Sequence, residues 1–165
     1  MAPGSASLDI QALETEEREL VLPRFSPEDA WALGVLTQSI AAEAGHGVVL
    51  DIRRPNLLLF RAVLPGATPD QQAWADRKAA VTLRLESSSA LVDARLSAAG
   101  VDPASIGWLD EHYAVTGGSF PIRVRDVGVV AAITASGLSS QEDHDLVVSG
   151  LRAHLNTNVE THPGQ

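Results

Sequence analysis

Leu33, Leu36, Ile40 and Ala44 recur three or four positions apart, the spacing that lays apolar side chains along one face of a helix. Ser26-Pro27-Glu28-Asp29 just ahead is a helix start: Ser26 suits the cap, Pro27 the first helical position, and the two acids the positive end of the dipole. Gly45 and Gly47 follow and predict the stop. Val48 to Ile52 and Leu57 to Leu64 are apolar runs separated by Arg53-Arg54-Pro55-Asn56, which reads as a β-hairpin. Thr68-Pro69-Asp70-Gln71 repeats the capping pattern, with Gln71 placed to reach back to the cap. A long helix with Val81, Leu85, Val92 and Leu96 on one face follows; Ser87-Ser88-Ser89 is a break or bend in it, and Gly100 closes it.

Asp102-Pro103 predicts a short helical turn near Trp108. Phe120 to Val124 and Val129 to Thr134 flank a turn at Asp126 and Gly128, giving a second strand pair. Ser139 or Ser140 then caps a helix carrying Leu146, Val147, Leu151 and Leu155. At the other end, Leu8, Leu13 and Leu20 among Glu14, Glu16, Glu17 and Glu19 read as an acidic amphipathic helix weakly anchored to the body. Residues 1–7 are expected to be an unstructured start and 158–165 a frayed tail, leaving one domain over 8–157. Two hairpins require antiparallel pairing, and helices must cover the sheet, so the order predicts an α+β layered domain of profilin- or PAS-like type.

Charge narrows the partners. There are 21 acidic against 12 basic residues, a formal net charge of −9, and Lys78 is the sole lysine. A polyphosphate ligand needs clustered cations, so neither nucleic acid nor an anionic membrane surface is expected. The absence of cysteine rules out disulfides, thiolate catalysis and Cys-ligated metal. No apolar run approaches a bilayer span, and Met1 to Gln11 carries no leader pattern, so a cytoplasmic location is expected.

Chemistry concentrates in a few places. Consecutive glycines in His112-Tyr113-Ala114-Val115-Thr116-Gly117-Gly118-Ser119 let backbone approach a ligand and aim N–H groups at an anion, or simply form a turn between strands. His112 and Tyr113 are candidate haem ligands or acid/base groups. Arg77 and Lys78, with Trp74 one turn before Lys78, suit a carboxylate or propionate; the alternatives are a lysine stem packed on the indole and a subunit salt bridge. Lys78, Tyr113 and His144 are the candidate catalytic residues for an enzyme acting on a small metabolite without a cofactor. Glu142, Asp143 and His144 are candidate metal ligands, although adjacent residues on a helix point apart and acids in a first turn serve as caps. His46 and His154 are expected near helix C-termini, where a partly positive imidazole is favoured. No Gly-x-Ser-x-Gly, Gly-x-Gly-x-x-Gly or P-loop pattern occurs, which argues against serine hydrolysis, nicotinamide chemistry and nucleotide hydrolysis.

Several segments taken together carry a resemblance: Pro23-Arg24-Phe25 leading to Asp29-Ala30-Trp31, Trp74 with Arg77-Lys78, Gly117-Gly118-Ser119-Phe120-Pro121-Ile122, Ser136-Gly137-Leu138, and Glu142-Asp143-His144. In order and spacing they resemble the haem-degrading, GlcG/HbpS-like family, in its branch of small proteins, from about Leu13 to Leu155. The resemblance implies a sheet of about five antiparallel strands packed by helices and a tendency to homo-oligomers. It also implies a small-molecule ligand, with haem the cofactor bound or degraded by some relatives. Trp74, Arg77, Lys78, His112, Tyr113, Thr116, Gly117 and Gly118 are the candidate ligand-binding set. One departure stands out: the branch often places His directly before the Gly-Gly, where this chain has Thr116. An oligomeric interaction protein without chemistry is the alternative reading.

Overall fold

The computed structural model describes the backbone of residues 3–161 and the side chains of residues 9–158. Its elements are α1 (Pro3–Glu19), β1 (Val21–Leu22), α2 (Pro27–Glu43), β2 (Val49–Arg54), β3 (Leu57–Val63), α3 (Pro69–Leu85), α4 (Ser89–Ala99), β4 (Ser119–Val124), β5 (Gly128–Ser136) and α5 (Ser140–Thr161). Residues 1–2 of the expected loose start and 162–165 of the expected tail lie outside the described residues, while helical backbone takes in 3–7 and 158–161.

The start of α2 follows its sequence signal. Ser26 Oγ accepts from Asp29 N at 3.1 Å, and Asp29 Oδ2 accepts from Ser26 N at 2.9 Å, a reciprocal capping box. At α3, Gln71 Oε1 accepts from the Thr68 N–H at 2.8 Å. The serine run at 87–89 does more than bend the long helix. Glu86 adopts a left-handed conformation at φ 53°, ending α3, and Ser88 caps α4 by accepting from Leu91 N at 3.2 Å. Where a short helical turn was expected after Asp102-Pro103, the chain forms hydrogen-bonded turns, with Trp108 N donating to Pro103 O at 2.9 Å.

The sheet has the order β1-β4-β5-β2-β3. Both hairpins pair antiparallel, as expected, and β2 joins them by pairing antiparallel with β5. The sheet is nevertheless mixed and not wholly antiparallel, because β1 runs parallel to β4, Val21 opposite Arg123 and Leu22 opposite Val124. A two-residue strand has no periodicity to betray it, and its partner lies about a hundred residues away.

Leu50, Ile52, Phe60, Phe120, Ile122, Ile133 and Ala135 join Leu33, Leu146, Val147 and Leu151 in one apolar cluster, placing α2 and α5 on one face of the sheet. Small contacts set the helices close. A Cβ at Gly150 would meet Thr37 Oγ1 at 2.0 Å, and one at Gly34 would meet the Phe60 ring at 2.5 Å. The alternate residues of the strands face α3. There Asp51, fully buried, binds Arg53 and accepts from Arg61 at 3.2 Å, and Arg53 reaches Asp76 on α3 at 2.6 Å.

The acidic helix α1 is tied down by charge rather than weakly held. Glu17 Oε1 accepts from the Ser88 N–H at 2.7 Å, Glu14 pairs with Arg95 at 2.9 Å, and Glu16 meets His144 at 2.7 Å.

His154 departs from its expected role. Helix α5 runs on past it, so it does not sit at a C-terminus, and it is 3% exposed. Burial pushes its imidazole below the usual 6.5, against the pull of Asp29 and with the push of Arg24. Asn158 Nδ2 lies 3.3 Å from its Nε2, an amide donor that suits a neutral ring. A depressed folded pKa means that the unfolded chain takes up the proton first. Stability from this residue is complete above 6.5 and declines as pH falls below it. Urea midpoints measured from pH 7.5 to 5.5 are expected to fall with acid, and the His154→Phe variant to show a shallower fall.

Candidate functional site

The end of the sheet where β5 stops and β4 begins carries a cleft of about 320 Å³ lined by Gln71, Trp74, Lys78, Thr116, Ser136, Gly137, Leu138, Ser140 and Asp143. Helix α3 supplies Gln71, Trp74 and Lys78 at i, i+3 and i+7, one helical face. Lys78 is 4% exposed and Asp143 1%. Their Nζ and Oδ2 atoms are 2.8 Å apart, and Nζ also donates to Ala135 O at 3.3 Å. Asp143 accepts further bonds from Leu138 N at 3.1 Å and Gly137 N at 3.4 Å. One face of the ion pair is thus built into the fold and the other borders the cleft.

The Gly-Gly segment closes over this pair. A Cβ on Gly118, whose φ is 134°, would lie 2.5 Å from Ala135 O, 2.9 Å from Lys78 Nζ and 3.0 Å from Asp143 Cβ. A Cβ on Gly117 would lie 2.5 Å from Ser140 O. The two glycines therefore let backbone pass between the tip of Lys78 and the first turn of α5. The Gly118 carbonyl accepts from Ala135 N at 2.8 Å, whereas the N–H groups of Thr116, Gly117 and Gly118 have no acceptor among the described residues.

The other anticipated residues lie elsewhere. His112 is exposed and engages Asp110, whose carboxyl its backbone and ring bonds hold below the usual range. Tyr113 lies beneath Arg84, 5.1 Å from guanidinium to ring. Neither lines the cleft. Arg77 stacks on Trp74 at 4.6 Å, its carbonyl accepts from Ala114 N at 3.1 Å, and its Nε is buried without a partner. It steadies the loop carrying Thr116 from outside the cleft.

Glu142, Asp143 and His144 diverge. Glu142 accepts from Ser139 N and Oγ at 3.1 and 2.7 Å, bonds that lower its carboxyl. Asp143 faces Lys78, and His144 meets Glu16 of α1. Among the described residues no three His, Cys, Asp or Glu side chains converge as a metal site would require. His144 belongs to a second hollow of about 360 Å³ under α1, with Glu16, Asp93, Gln141, Gly117 and Ser140 in its wall. Burial raises the Asp93 carboxyl there.

The partners that sequence reasoning missed are Gln71, Ser136, Gly137, Leu138 and Ser140 as lining residues, and Asp143 as the counter-charge of Lys78. No local pattern links positions 65 residues apart, though a sole lysine near a ligand motif was a signal that its partner should be sought.

The model of the haem-degrading protein HbpS-like family matches residues 25–152. The chain belongs to that family. A UPF0303 protein of Streptomyces coelicolor is 45% identical over 156 residues, 94% of this chain and 99% of that protein. One from Burkholderia thailandensis is 41% identical over 94% of each. Among solved structures, the Ybr137w protein superposes with a TM-score of 0.83 at 31% identity, covering 91% of this chain and 89% of that one. The fold is shared with PduOC, crystallised as a haem complex, at TM-score 0.66 and 17% identity over 78% of this chain and 94% of that one. Among the described residues no helix of this family member is long and apolar enough to cross a membrane.

Proposed function

We propose that this protein binds a small carboxylate-bearing ligand in the cleft bordered by Lys78. The observation that carries the reading is the convergence of donors on one hollow: the Lys78 ammonium and the Thr116, Ser136 and Ser140 hydroxyls, Ser140 opening α5. Trp74 and Leu138 supply an apolar wall, as small-molecule sites usually have. Asp143 balances the lysine, so the cleft holds no isolated buried cation, and the remaining Lys78 N–H is a directed donor for an acceptor in it.

Family membership brings haem into the reading, and a fit test divides it. Haem propionates are carboxylates and suit these donors, but none of the lining residues is a His, Tyr, Cys or Met able to take an axial position on iron. The reading therefore rests on the carboxylate and not on iron ligation. Calorimetric titration with malonate is expected to saturate at one site per chain, and Thr116→Val to weaken it about tenfold. No heat and no stabilisation with malonate would end the proposal. Haemin bound in a form that malonate fails to displace would place haem outside this cleft.

Self-association is the second reading, favoured by a specific surface. Edge strand β3 exposes Leu57, Leu58 and Val63, and neighbouring α2 exposes Trp31 and Val35. An unpaired strand edge flanked by apolar side chains is a template for another chain. Sedimentation equilibrium is expected to give a mass above one chain, reduced in Val63→Lys.

A further inference from the structure

Lys78 has one more donor than the fold uses. An ammonium carries three N–H bonds, and the acceptors given to this one are Asp143 Oδ2 and Ala135 O. The third has no partner among the described residues, and the side chain borders the cleft. Thr116 and Lys78 line the same cleft, so a carboxylate held at Thr116 keeps the rest of a short ligand within reach of that nitrogen. Asp143 Oδ2, at 2.8 Å, is correctly placed to take a proton from the lysine and return it.

Resting on the carboxylate reading above, we propose that Lys78 captures a 2-oxo acid as a protonated imine. Asp143 accepts one ammonium proton, which frees the nitrogen lone pair. The amine attacks the ketone carbon, forming the C–N bond, and the carbonyl π electrons become an alkoxide that is protonated to the carbinolamine. The nitrogen then gives a second proton to Asp143, and return of that proton to the hydroxyl breaks the C–O bond, expelling water as the nitrogen lone pair closes the C=N bond. The balance is ammonium plus ketone giving iminium plus water, with no other reactant. The positive charge stays on the lysine nitrogen opposite Asp143, so the buried pair is never left uncompensated, which is what a low-dielectric site requires. The adjoining carboxylate and carbonyl of a 2-oxo acid match the two functions of the cleft, donors for the first and a nucleophile for the second.

The sole lysine makes the test simple in the wild-type chain. The protein is incubated with pyruvate and cyanoborohydride, and the intact mass and peptide map are read. One reduced pyruvyl group per chain is expected on the Lys78 peptide, in excess over the N-terminal amine and suppressed by malonate. Asp143→Asn, where it folds by circular dichroism, is expected to trap about a hundredfold more slowly. A chain that binds malonate calorimetrically yet stays unlabelled at Lys78 overturns the imine and leaves the carboxylate reading in place. A chain that neither binds malonate nor labels loses both. Labelling that malonate does not suppress also overturns the proposal, since it would mark an ordinary amine outside the ligand site.

Discussion

Lys78→Ala is expected to cost about 4 kcal/mol of folding stability, read as a lower urea midpoint with an unchanged slope. The size comes from what is left behind. Asp143 is 1% exposed, and without the ammonium its carboxylate keeps only the N–H groups of Leu138 and Gly137, at 3.1 and 3.4 Å. An uncompensated charge in that position is far more costly than the attraction it loses, because water cannot replace the partner. The reverse truncation, Asp143→Ala, strands the ammonium on the single carbonyl of Ala135 and is expected to cost a similar amount. The double variant Lys78→Met with Asp143→Leu separates the causes. Removing both charges and keeping the volume is expected to recover most of the loss, giving a coupling of several kcal/mol in a double-mutant cycle whose single corners are Lys78→Met and Asp143→Leu. If the single and double variants lose stability additively, the two residues are not a coupled pair. Recovered stability without recovered malonate binding would assign the pair to the ligand rather than to the fold.

That experiment also marks the boundary of what could be read from the chain. Ser26 through Asp29 specify the start of α2 within four residues, and the hairpins announce themselves through apolar runs around turns. These are local signals, and the structure keeps them. The signals that went astray depend on distance. Val21–Leu22 becomes a strand only because β4 offers an edge, so the mixed sheet could not be read from periodicity. His154 looked terminal because Asn156 and Thr157 are poor helix formers, yet packing of Leu151 and Leu155 against the core carries α5 past them. The site divides in the same way. Trp74, Lys78 and Thr116, named from residue chemistry and resemblance, line one cleft, and Gly118 passes beside Lys78. His112 and Tyr113 sit four and three residues before Thr116 in sequence, but the turns at 110–113 carry them away from the cleft, toward Asp110 and Arg84. Adjacency in sequence was mistaken there for adjacency in space.

Gly118→Ala is expected to lose about 3 kcal/mol and, in whatever fraction folds, to weaken malonate binding. Two independent costs meet at this position. A φ of 134° is a conformation that side chains rarely adopt, and the new methyl would sit 2.5 Å from the carbonyl of Ala135, whose N–H donates to Gly118 O at 2.8 Å. Neither neighbour can yield cheaply: the carbonyl belongs to sheet backbone, and Lys78 Nζ at 2.9 Å is held by Asp143. Gly45 provides the control, since its φ is 71° and nothing lies within 4 Å of its added Cβ. Gly45→Ala isolates the conformational cost and is expected to lose about 1 kcal/mol. The difference between the two variants, measured by urea unfolding at one pH, combines the steric cost of crowding the Lys78–Asp143 pair with the extra backbone cost of φ 134° over φ 71°. Equal losses would mean that the Gly-Gly segment is an ordinary turn that could retreat from the lysine. A clear excess at Gly118, together with weakened binding, would mean that these glycines hold the backbone against the ion pair that borders the cleft.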